Sequence, residues 1–293
     1  MVSNTAGRKV FRVINAIFFI VYGLICLVPI IHIISMSFSS SVAVNSGRVT
    51  LAPVEFTLKS YEYVLKKSEF WTAFRISLVR VVLGVSVNML MVIFAAFPLA
   101  KTRQEFCAKN FFVWFFMITM LFSGGMIPTF MVVKYTGLLN TIWALVLPGA
   151  VPVFNVVLMM NFFKAVPKEL EESAFMDGAG YFRILFQIYL PVSLPAIATL
   201  VVFSLVTHWN SWFDGMIYMS DAKNYPMQTY LQSIMVSPNS KMMTKAMANL
   251  LRFISDRTLK AAQIVIATVP ILLVYPFLQK YFVAGMTLGS VKG

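Results

Sequence analysis

Histidine, cysteine and acidic side chains are scarce in this 293-residue chain, which has two His, two Cys and 11 Asp plus Glu. The histidines, His32 and His208, are far apart and neither has a second histidine at ligand spacing, which argues against a metal role. Cys26 lies in a long apolar run and Cys107 in a basic loop beside Lys101, Arg103 and Lys109. Such different surroundings predict neither a disulfide nor a thiolate metal site. Charged residues make up only 12%, against about 25% in an ordinary soluble domain. No G-x-x-x-x-G-K-[ST] run occurs, so the chain carries no phosphate cradle and is not expected to hydrolyse ATP by itself.

What fills the chain instead is apolar: 59% of residues are hydrophobic. A bilayer core of about 30 Å needs about 20 apolar residues per helix, and runs of that length recur. They predict an all-α polytopic membrane protein of six transmembrane helices at about 11–38, 71–99, 111–127, 140–163, 192–218 and 259–282. Blocks such as Val81–Leu99 do not alternate polar and apolar residues, which excludes barrel strands. The first run, preceded by Arg8, Lys9 and Arg12, is too long for a signal-peptide core and reads as a retained helix. Pro29 is expected to bend it, and Pro148 and Pro152 to bend or delay the fourth helix. Gly124, Gly125 and Pro128 are expected to end the third.

Lys and Arg number 24, giving a net charge of +13. They are dispersed among the spans rather than gathered on one face, which argues against nucleic-acid binding. The positive-inside rule accounts for Arg8, Lys101, Lys109, Lys164, Lys168 and Arg183 if both termini are cytoplasmic. It leaves a second basic set, including Arg48, Lys59, Lys66, Arg75, Arg80 and Lys223, outside or near the outer boundary. Segments 39–70 and 219–258 are then external, and 164–191 returns to the cytoplasm.

That cytoplasmic loop holds Glu172-Ser173-Ala174-Phe175-Met176-Asp177-Gly178-Ala179, and then Ile188, Leu190 and Pro191. The pattern resembles the E-A-A-x3-G-x9-I-x-L-P coupling loop of ABC-importer permeases, with Ser173 at the middle Ala. Phe56–Tyr61, Trp209-Asn210-Ser211-Trp212 and Tyr281–Gly293 also resemble segments of carbohydrate-uptake permeases of the type I fold, so the likeness covers nearly the whole chain. Within that family the chain is similar to permeases for oligosaccharides and polysaccharides, the smaller alginate-importer permease among them. The resemblance implies a second, different permease subunit and two ABC ATPase subunits that hold ATP and Mg. It also implies an extracytoplasmic solute-binding protein, a sugar substrate, and a seat in the bacterial inner membrane among its lipids. By itself, this chain is expected to bind no cofactor and no metal.

Loop residues 172–179, with Ile188, Leu190 and Pro191, are the candidate ATPase-coupling surface. Sugar sites combine aromatic faces with hydrogen-bonding groups, and polar residues at membrane depth often mark a pathway. Trp209, Asn210, Trp212, Asp214, Asn88 and Asn155 are therefore the substrate-pathway candidates. Trp side chains also anchor helices at interfaces, and single Asn residues bridge them. An outward basic excess favours an acidic saccharide through field focusing. The principal alternative, a secondary sugar transporter driven by an ion gradient, requires an intramembrane carboxylate, for which Asp214 is the candidate. The Met-rich run 235–247 suggests an adaptable partner-binding surface.

Overall fold

The computed structural model describes residues 6–236 and 255–290, and the backbone there is helical with no strand. The described residues fall into two compact units, one made of the chain up to Ser68 with Ser233–Val269, the other of Glu69–Gln232 and the chain from Pro270.

In the first unit, α1 (Ala6–Ser37) is one uninterrupted helix that contains Pro29. Its stretch Val10–Ser37 is long and apolar enough to cross a bilayer. Nearly every apolar side chain from Val10 to Ile31 is exposed, on all sides of the helix. Beyond α1 the chain folds into a small polar cap with α2 (Ser41–Asn45) and α3 (Lys59–Lys66). The cap is tied to the helix end at several points. Ser37 Oγ shares a hydrogen bond with Tyr61 Oη (2.7 Å), Phe38 stacks on Phe56 and Tyr61, and His32 Nδ1 lies 2.7 Å from the Thr50 carbonyl. After α3, Lys67 alone separates it from α4 (Ser68–Ala100).

The second unit is built on α4, a 33-residue helix. Its buried positions, Phe70, Ala73, Ser77, Arg80, Gly84, Asn88, Val92 and Ala96, recur every three or four residues. That spacing draws one stripe along a helix, while Leu78, Val82, Leu90 and Phe94 stay exposed. The lower part of the stripe packs with α7 (Val153–Lys164), α9 (Tyr181–Ile184) and α11 (Leu194–Asn210) around Val92, Ala96, Phe97, Met159, Phe163, Leu185 and Leu200.

Three expected spans are broken. The third, expected over 111–127, is α5 (Lys109–Leu121), then an extended link, then α6 (Met126–Tyr135), bent by 114°. Gly125 at φ +88° makes the corner, a conformation open to glycine at little cost. Pro128 does not end a helix. It sits in the first turn of α6, where its missing N–H costs nothing. The fourth, expected over 140–163, starts as two 3₁₀ turns, Ile142–Leu145 and Leu147–Gly149, and bends 51° into α7 at Pro152. The fifth, expected over 192–218, begins instead at Leu194. Its α11 meets α10 (Leu190–Val192) at the end of the preceding short helices, which bend 82° into it. It breaks at Ser211–Trp212 before α12 (Phe213–Tyr218). After α13 (Met227–Val236), α14 (Asp256–Ser290) extends past both ends of the expected sixth helix. Two helices of the described residues are long and apolar enough to span alone, and five spans result if each bent pair counts as one.

Candidate functional site: a coupling turn and a polar cavity

The loop after α7 folds by local rules. Pro167 leads into α8 (Lys168–Met176), and Glu169 and Glu171 in its first turn suit the positive end of the helix dipole. The exit is a Schellman motif. Gly178 takes φ +77°, its N–H donates to the Phe175 carbonyl (3.0 Å), and the Ala179 N–H donates to the Ala174 carbonyl (2.9 Å). Ala174 and Ala179, the apolar pair such a cap brings together, both rest against the main core. The motif spacing is thus a stop signal: small residues on the inner side, and a glycine where only a left-handed residue reverses the chain.

Reversal leaves the opposite side bare. Met176 is 88% exposed and Phe182 72%. Phe175 meets Tyr181 edge-to-face at 5.3 Å, and Glu172, Ser173 and Asp177 face outward. Ile188 and Leu190 are half-buried against the core, and Pro191 is exposed. Residues Leu185–Tyr189 form a π turn, an irregularity that recurs at functional sites.

A buried polar cluster anchors this turn to the bundle. Lys101, at the end of α4, forms an ion pair with Glu171, and Tyr189 donates its hydroxyl to the same carboxylate. The Lys101 ammonium also lies 4.4 Å from the Phe97 ring centre and 4.5 Å from that of Tyr189. Phe97, Phe163 and Tyr189 close around it edge-to-face. Beside it, Thr102 and Glu105 cap each other: the Thr102 N–H and Oγ1 donate to Glu105 Oε2 at 2.6 and 2.7 Å. Those two hydrogen bonds hold the Glu105 carboxyl below its ordinary range. Lys101 was counted only as a cytoplasmic-side charge, and Glu171 was not paired with it. The available signal was a lysine directly after a long apolar helix and an acid one residue before Glu172.

At the other end of the same unit lies a cavity of about 950 Å³. Asn88 and Asn155 line it, as do Ser204, Thr207, His208, Ser211, Asp214 and Tyr218, with Arg80 at its edge. Arg80 is 2% exposed and forms a two-pronged ion pair with Asp214, while its Nη1 also donates to the Ser211 carbonyl at 3.2 Å. Asp214 accepts further hydrogen bonds from Ser211 Oγ and the Gly215 N–H, both at 2.9 Å. His208 Nε2 lies 3.3 Å from Asn88 Oδ1, the contact of an Nε2–H tautomer donating to the amide oxygen. Gly84 makes room for that ring, since a Cβ there would fall 2.4 Å from Nε2. Asn155 Nδ2 donates to Ser204 Oγ at 3.4 Å.

Of the pathway candidates, Asn88, Asn155 and Asp214 come together at this cavity. Trp209 does not line it; buried, it packs edge-to-face on Phe74. Asn210 is exposed, and Trp212 lies against Phe213 with its carbonyl accepting from Thr229 Oγ1. Arg80 was counted only as a boundary charge, yet a lone arginine between Ser77 and Gly84 in an apolar helix was a readable sign. Most of the Met-rich run, and the last three residues of the tail, lie outside the described residues.

Comparison with known proteins bears on the fold and the family. Residues 70–288 match the family model described as binding-protein-dependent transport system inner membrane component. The polygalacturonan/rhamnogalacturonan transport system permease protein YtcP of Bacillus subtilis is 40% identical over 276 residues, covering 94% of this chain and 96% of that protein. Protein LplC of the same organism is 39% identical over 295 residues, covering 99% and 97%. Among solved structures, a chain of a bacterial ABC transporter involved in import of the acidic polysaccharide alginate superposes with a TM-score of 0.88 at 33% identity. The match covers 96% of this chain and all of that one. With its helical fold, its bent spans and this breadth of similarity, the chain belongs to the binding-protein-dependent transport system inner membrane component family.

Proposed function

We propose that this chain is one of two permease subunits of an ATP-driven importer for an acidic oligo- or polysaccharide. Six crossings put both termini and the α8–α9 turn in the cytoplasm. There two ATPase subunits, carrying ATP and Mg, grip the turn. On the outer side a solute-binding protein delivers the sugar, and closure of the ATPases shifts the turn so that access alternates. This chain's part is to transmit force and to line half of the path.

The observation that carries the reading is the exposed apolar end of α8, with Met176 at 88% exposure, backed within a few residues by the buried Lys101–Glu171 pair. A bare apolar knob on a rigid buried strut suits a groove on a moving partner. The acidic substrate is supported by the outward basic excess, by Arg80 at the cavity, and by the acidic polysaccharides that YtcP and the alginate transporter carry. Asp214 is held by Arg80, which suits it poorly to the ion-coupling role that a gradient-driven transporter requires.

Gentle extraction followed by mass spectrometry tests the assembly: an ABC ATPase and a second permease are expected to co-purify. A homo-oligomer free of ATPase would sink the proposal. Reversing charge with Glu172→Lys is expected to lower ATPase retention or to uncouple ATP hydrolysis from uptake.

A further inference from the structure

Resting on the acidic-saccharide reading, we propose that Arg80 is the anchor for a substrate carboxylate, and that Asp214 is its resident placeholder, displaced when the sugar arrives.

Four observations carry this. Arg80 is almost fully buried, and a buried guanidinium requires a carboxylate or an equivalent acceptor at all times. Its partner is the more exposed member, with 23% of the Asp214 side chain accessible against 3% for Arg80. Asp214 also sits just after the Ser211–Trp212 break, in the first turn of α12 rather than inside a rigid helix. If released from Arg80 it keeps two donors, Ser211 Oγ and the Gly215 N–H. Exchanging one carboxylate for another leaves the buried charge balanced, so the swap avoids the cost of stripping the cation bare.

The surroundings suit a sugar acid. Among the described residues Arg80 Nε and His208 Nδ1 have no hydrogen-bond partner; both atoms are closed off while Asp214 is in place, although their residues line the same cavity. With Nε2 donating to Asn88, Nδ1 of His208 is a lone-pair acceptor, matched by a sugar hydroxyl. Arg80 Nε is an N–H donor, matched by a carboxylate or ring oxygen. A planar cation with a spare N–H, next to an imidazole acceptor that opens when Asp214 moves, complements a uronate better than a neutral hexose. Asp214 in turn repels anions that do not reach the guanidinium, so the exchange also serves selectivity.

The test uses the complete transporter in proteoliposomes, with a galacturonate trisaccharide and the neutral galactose trisaccharide of the same linkage. In the double variant Arg80→Met/Asp214→Leu, which removes both charges together, KM for the acidic trisaccharide is expected to rise at least about tenfold. KM for the neutral one is expected to rise by a much smaller factor. Asp214→Asn, which leaves the cation without its competitor, is expected to lower KM for the acidic trisaccharide severalfold. If the unaltered transporter ignores the acidic trisaccharide, the acidic-saccharide reading fails and this inference with it. If it carries the acidic trisaccharide but the double variant changes both KM values alike, or neither, the Arg80 anchor is wrong while the reading stands. Should the double variant not assemble, an unchanged or raised KM in Asp214→Asn overturns the inference.

Discussion

Lys101 and Glu171 are separated by 70 residues, and each is nearly fully buried. Removing one member strands the other charge, and Lys101→Met is expected to cost about 3–5 kcal/mol. Lys101→Met/Glu171→Leu should recover most of that loss, because an apolar pair of similar volume is often neutral. Chemical denaturation of the three proteins in one detergent checks it. Glu105 offers a pH test. Its folded carboxyl is lowered, so its stabilisation is present above the ordinary value of 4.5 and is lost as pH falls through the lowered one. The stability gap between the parent chain and Glu105→Ala should therefore hold at neutral pH and close on acidification below that value; a gap that widens instead would contradict the capping geometry. At Gly84, alanine would press into His208 and is expected to cost about 1–3 kcal/mol through overpacking, read as a lowered thermal midpoint.

The α8–α9 turn depends on one left-handed residue. Gly178→Ala at φ +77° is expected to cost about 1–2 kcal/mol locally and to misdirect Met176 and Phe182. Gly178→Asn should be milder, since Asn tolerates that conformation. Sugar-stimulated ATP hydrolysis is the readout, and equal loss in both variants would argue against the conformational cause. This turn was legible in the sequence because its signals are local: a proline start, acids in the first turn, and a glycine stop. The break at Ser211–Trp212 was not legible, because neither residue is a helix breaker. Carbonyls there are satisfied from afar, Ser211 by Arg80 at a separation of 131 residues and Trp212 by Thr229 at 17. Pro128 was misread for a related reason: proline marks a helix boundary without saying on which side the helix lies.

Across the whole molecule, composition revealed a membrane protein, and the apolar runs located most of its helices, while the bends between them follow from packing that hydropathy does not record. The outward positive charge proposed above gives an expectation at this scale. Raising ionic strength from about 0.01 M to about 0.15 M shortens the screening length from about 30 Å to about 8 Å. Uptake of an acidic saccharide should slow across that range and uptake of a neutral one should not; salt-indifferent uptake of both would remove the steering role. The 114° bend has a consequence for synthesis. At about 1.5 Å per residue, the 13 residues of α5 rise only about 20 Å and the 10 of α6 about 15 Å, each short of a bilayer. Between them, at Phe122–Gly125, the backbone lies outside any helix; Phe122 and Gly125 donate their N–H groups to the Ile118 carbonyl and Ser123 Oγ, and any backbone group left unpaired at the joint has to be covered by protein or water rather than lipid. α5 and α6 are therefore expected to enter the membrane together, once later helices can cover the joint, so that biogenesis of this subunit is a delayed, cooperative release rather than a helix-by-helix one.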